Sequence, residues 1–124
     1  MRPDTLLYRQ AHPNFVNGDT VTSQAFVPFP KDKGELSVDD GDLVTAQESY
    51  RHYTQDLGNA SDSVWAVTKT EADTTGAPAS PAPLPDNPAH ARLDFNSIPE
   101  KHWRKTAKRL KEHALTHGCQ FRPA

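Results

Sequence analysis

Seven of the eleven prolines in this 124-residue chain stand in two places, at positions 28 and 30 and at positions 78, 81, 83, 85 and 88. Proline has no backbone N–H and a fixed φ, so neither stretch can form a central strand or the interior of a helix. Val27-Pro28-Phe29-Pro30 therefore reads as an edge or a loop crossing. Residues 77–88, rich in Pro, Ala and Ser, read as an extended surface loop. The regular structure must come from the segments around them.

Leu6 to Ala11 alternates in side-chain character and predicts a first strand that ends before His12-Pro13. Asn17-Gly18 supplies a tight hairpin turn between Phe15-Val16 and Thr20-Val21, and a second extended segment is expected over Thr20–Phe26. After the polar turn Lys31-Asp32-Lys33-Gly34, Leu36-Ser37-Val38 is a short buried stretch stopped by Asp39-Asp40-Gly41. Thr45 and Glu48 have capping-box spacing and begin a helix. Its stripe Ala46, Tyr50, Tyr53 and Leu57 should pack on a sheet, with Gly58 as the C-terminal stop. Ser63–Val67 predicts an internal strand leading into a second capping box, Thr68 and Glu71, and a short helix ending near Gly76. His90–Phe95 alternates as a strand with one polar face. Ser97 and Glu100, with Pro99, form a third capping box before a helix whose stripe is Trp103, Ala107, Leu110 and Ala114, ending at Gly118. The expected fold is one α+β domain over residues 1–124: a mixed or mostly antiparallel sheet of about four or five strands, two main helices and a short third.

Apolar residues make up 35% of the chain and mean hydropathy is negative, which calls for a compact core and a large share of loops. Cys119 is the only cysteine, so no intramolecular disulfide can form and a reducing, cytoplasmic setting is expected. Leu6-Leu7 is too short an apolar run for a signal segment or membrane span, and no membrane association is expected. Sixteen acids against fourteen bases leave a net charge of −2, which points to no polyanionic partner in bulk. The bases are nevertheless concentrated locally, with Lys101, Arg104, Lys105, Lys108, Arg109 and Lys111 crowded into the last helix. A solvated face explains them. Nucleic-acid contact through that helix, with Trp103 or Phe121 stacking, is the less favoured alternative.

The densest polar set is Arg9, His12, Ser23, Lys31, Asp32, Ser37 and Asp39. Acid–base chemistry needs a histidine oriented by a carboxylate, and His12 with Asp32 or Asp39 supplies those types. Arg9, His12, Ser37 and Asp39 are accordingly the candidate catalytic residues, although His12 is also placed to tie down the Pro13–Gly18 turn. Gly-x-Ser-x-Gly, Gly-x-Gly-x-x-Gly and Walker patterns are absent. His113 and His117, four apart, with His102 on nearly the same side, raise the question of a metal. With one thiol in the chain they read instead as surface histidines, and no metal or cofactor is expected. The proline-rich strip with Leu84 could dock another protein. The leading expectation is thus a small accessory or regulatory domain that binds a protein partner. The rival is a small transferase or hydrolase, with nucleotide or NAD handling among its options, built on the N-terminal polar cluster. In isolated residues only, Tyr8 or Arg9 on the first strand with Ser37 on a later one resembles the ADP-ribosyltransferases, which would imply NAD as substrate. The wording of Leu7-Tyr8-Arg9-Gln10, His12-Pro13 and Ser23-Gln24-Ala25-Phe26 resembles small bacterial proteins.

Overall fold

The computed structural model describes residues 1–124. Five strands form one antiparallel sheet: β1 (Leu6–Ala11), β4 (Glu35–Asp40), β5 (Ser63–Thr68), β6 (Ala79–Pro81) and β7 (His90–Asp94), in the spatial order β5-β1-β4-β7-β6. A separate hairpin pairs β2 (Val16–Asn17) with β3 (Thr20–Val21). Three α-helices, α1 (Ala46–Arg51), α2 (Lys69–Thr75) and α3 (Trp103–His117), complete the α+β architecture.

Alternation gives the sheet one apolar face. Leu7 on β1, Leu36 and Val38 on β4, Trp65 and Val67 on β5, and Ala91 and Leu93 on β7 turn the same way and are buried. Helix α3 covers them with Ala107, Leu110 and Ala114, all fully buried. Trp103 opens this helix with its ring edge-on to Phe95 and its indole N–H donating to the carbonyls of Phe95 and Ile98. Both ends of the sheet are protected against further pairing. The backbone at Gln120-Phe121 bonds to Val64 along the β5 edge, while β6 is only three residues long and ends in Pro81.

Several expectations needed correction. Only Thr20–Val21 of the predicted Thr20–Phe26 segment pairs as a strand; Ser23–Phe26 winds into a 3-10 turn that buries Ala25 and Phe26. The Leu36 stretch continues through Asp39 and Asp40, because both acids find partners: Ser49 and Asn87 for Asp39, and the Asp42 N–H for Asp40. A short edge strand, β6, forms inside the proline-rich loop. Helix α1 runs into a π-helical turn, His52–Asp56, which shifts the expected stripe and leaves Leu57 half exposed. The capping boxes at Thr45/Glu48 and Thr68/Glu71 both form. The one at Ser97/Glu100 does not: Pro99 is extended (ψ 135°), so the chain turns helical only from Glu100 and Ser97 lies too early to cap it.

Glu71 joins α2 to α3 as well as capping α2. It accepts from the Thr68 N–H at 2.8 Å, faces His117 Nε2 at 2.8 Å and lies 3.3 Å from His113 Nδ1. Burial pushes its carboxyl upward, but the Thr68 and His117 hydrogen bonds and the neighbouring imidazoles outweigh that and hold it below its ordinary value. A depressed carboxylate stabilises the fold above its unfolded pKa, near 4.5, and loses that contribution as pH falls through the folded value. Glu71→Gln is therefore expected to be less stable than the parent at pH 7, by about 1 kcal/mol given partial exposure. The gap should close as pH falls below the ordinary value near 4.5 and through the lower folded value, which urea melts at neutral and acid pH would reveal.

Candidate functional site

The sheet face opposite α3 is only partly covered, and a cleft of about 230 Å³ opens there. Its floor follows from strand register. Tyr8, Asp39 and His90 stand on one rung across β1, β4 and β7, with Gln10 and Ser37 two residues along their strands. The π-helical turn after α1 forms one wall through His52, Tyr53 and Leu57. The other is the chain from Leu84 to Asn87, closed on itself by reciprocal 3.0 Å backbone hydrogen bonds. Leu57 and Leu84, about half exposed, make both lips apolar.

Ser37 and His90 meet diagonally across β4 and β7, as residues offset by two on neighbouring strands can. His90 Nδ1 lies 2.8 Å from the carbonyl oxygen of Ala82. A carbonyl only accepts, so Nδ1 carries the proton, and in the neutral ring Nε2 is left as an acceptor. That Nε2 lies 3.2 Å from Ser37 Oγ. The order is that of a hydroxyl, a base and a group that fixes the base's tautomer. Ser37 is solvent-exposed and His90 half-buried, so the hydroxyl is reachable from the cleft.

Arg9 reaches the site by an unusual route. By alternation it belongs to the buried face with Leu7 and Ala11, but β1 pairs with β4 only at Leu7–Asp40 and Tyr8–Asp39, and beyond that rung the strands part. The guanidinium fills the gap. Its Nε donates to Ala25 O at 2.7 Å and its Nη1 to Ser37 O at 3.0 Å, the latter giving the β4 carbonyl an N–H that the departed strand does not. Burial lowers its pKa from the ordinary arginine value, opposed by the charges of Tyr53 and Asp32. It stays charged, as arginine does throughout the physiological range.

A relay of neutral groups holds the rest of the floor. Ser61 Oγ donates to Gln10 Oε1, Gln10 Nε2 donates to Ser49 Oγ, and Ser49 Oγ donates to Asp39 Oδ2 at 2.6 Å. Asn87 Nδ2 donates to Asp39 Oδ1 at 2.9 Å. Asp39 is thus anchored to α1 on one side and to the Leu84–Asn87 wall on the other. In the first wall, His52 Nδ1 faces Asp56 Oδ2 at 3.0 Å, while His52 Nε2 is the one buried side-chain polar atom without a partner. Burial of Tyr8, with the nearby Asp42 charge, raises its phenol above the ordinary value, so it remains a neutral hydroxyl.

Of the four residues singled out by sequence, Arg9, Ser37 and Asp39 line this cleft and His12 does not. His12 Nδ1 accepts the Asn14 N–H at 3.0 Å and caps the 3-10 turn Pro13–Phe15, with its ring against Phe15, beside a second depression that shares Arg9, Gln10 and Tyr53 with the first. Neither Asp32 nor Asp39 bonds to it; Asp32 accepts from the Phe29 N–H. His90, His52 and Asn87 were missed. The alternation of Leu36-Ser37-Val38 and of His90–Asp94 could have placed Ser37 and His90 on one face, had the two strands been paired in advance. Elsewhere, no three His, Cys, Asp or Glu side chains are grouped to hold a metal ion, and no helix is long and apolar enough to cross a membrane. No protein-family model matches the chain, and neither curated proteins nor solved structures gave a significant match.

Proposed function

We propose that this chain is a small hydrolase or group transferase in which Ser37 is the nucleophile and His90 its general base. The carrying observation is the linked pair of hydrogen bonds, Ser37 Oγ to His90 Nε2 and His90 Nδ1 to Ala82 O, at the floor of a cleft. In the proposed reaction the Ser37 oxygen attacks an acyl or similar electrophilic centre as its proton passes to His90 Nε2. His90 then returns that proton to the leaving group, and water or a second acceptor releases the group bound to serine. Asp39, one strand from His90 and fixed by Ser49 and Asn87, gives the imidazolium formed in between an opposite charge nearby. The apolar lips at Leu57 and Leu84 favour a substrate with an apolar portion.

The same lips also suit a protein-binding reading, in which the cleft accepts an apolar side chain from a partner and no bond is broken. Turnover separates the two. A panel of p-nitrophenyl esters of increasing acyl length should be hydrolysed by the parent and not by Ser37→Ala. Equal rates for parent and variant would leave binding as the better reading.

A further inference from the structure

We infer that the substrate of this cleft carries an oxyanionic group, a carboxylate or a phosphate, held by Arg9 beside the reacting centre; the inference rests on the reading of the cleft as an active site. No carboxylate lies within ion-pairing distance of Arg9, although the chain forms eight such contacts elsewhere. Its two engaged nitrogens bond to backbone carbonyls, which fix the plane of the guanidinium without neutralising it. The outer Nη2 has no protein partner and is not among the buried unpartnered atoms, so it reaches open space. A fork held in place, partly desolvated and with no carboxylate in contact is the arrangement that gains most from a planar or tetrahedral oxyanion.

Position narrows the ligand further. Arg9 lines both the cleft of Ser37 and the neighbouring depression of His12 and Phe15, so an anion bound there lies between the two. Its Nη1 is bonded to the carbonyl of Ser37 itself, which keeps the charge within one residue of the nucleophile. The anionic group therefore sits close to the bond that is broken, while the apolar part of the molecule extends between Leu57 and Leu84.

The test uses Ser37→Ala protein, so that binding is read without turnover, and follows the Arg9 Nε–H resonance by NMR during titration with phenyl phosphate, benzoate or benzyl alcohol. A saturable shift at Arg9 with at least one anion and none with the neutral alcohol is expected, and the tighter anion tells phosphate from carboxylate. Arg9→Gln should weaken that anion at least tenfold, or about 1.4 kcal/mol. Because that variant could lose the β4 anchor and unfold, the Arg9 resonance of the Ser37→Ala protein stands as a reading of its own. No saturable shift at Arg9 with either anion, or shifts confined to the exposed bases of α3, would overturn the inference. Failure of Ser37 chemistry with anion binding intact would remove only the hydrolase reading. Intact Ser37 chemistry without anion binding would remove only this one.

Discussion

Replacing His90 by alanine is expected to lower kcat/KM on any substrate of the cleft by about 10²- to 10⁴-fold, the range of a lost general base. The fold should tolerate the change. His90 is half-buried on the polar face of β7, and its backbone bonds, N–H to Asn87 O and C=O from the Ala82 N–H, survive the loss of the ring. What disappears is the Nε2 acceptor for the Ser37 hydroxyl and the Nδ1 donor to Ala82. His90→Gln is the sharper comparison. It can still bond to the Ala82 carbonyl but cannot take up a proton near neutral pH, so it should be as inactive as alanine if base catalysis is at stake. Substantial activity in His90→Gln would mean that the ring only positions the loop.

Leu110→Ala is expected to destabilise the protein by about 2–5 kcal/mol through lost burial and the cavity left behind. Leu110 is fully buried in the cluster that α3 forms with Phe26, Leu36, Leu93 and Phe95. Few replacements are at hand, since the neighbouring stripe residues Ala107 and Ala114 have only methyl side chains. In denaturant the midpoint should fall sharply, with a slope close to the parent's. The cleft lies on the opposite face of the sheet, so the folded fraction should keep its specific activity. A matching midpoint would show that α3 is not seated on the sheet as described.

Local signals were the most legible part of the sequence. Two capping boxes formed because their reciprocal hydrogen bonds involve residues three apart, and the α3 stripe from Trp103 to Ala114 was readable for the same reason. Where a nearby residue intervened, the spacing misled: extended Pro99 separates Ser97 from its helix, and the π-helical turn carries Leu57 away from the sheet. The site depended on longer connections. Ser37 and His90 are 53 residues apart and meet only because β4 and β7 are neighbours in the sheet. Arg9 is singled out by sequence as part of the polar set, but its route into the site is not legible there. Its role in the site comes from the parting of β1 and β4, and nothing in the six residues of β1 announces that gap. His12, by contrast, was placed beside its proline turn by sequence alone and is found there as a cap.

The central proposal is that Ser37 is a nucleophile, and the most direct measurement is the intact mass of the protein after treatment with a fluorophosphonate, followed by peptide mapping. The hydroxyl oxygen would displace fluoride from phosphorus, adding one phosphonyl group as the proton passes to His90. A single adduct on Ser37, absent from Ser37→Ala and strongly slowed in His90→Ala, is the predicted result. An unmodified Ser37 after prolonged exposure, with the protein still folded, would contradict it.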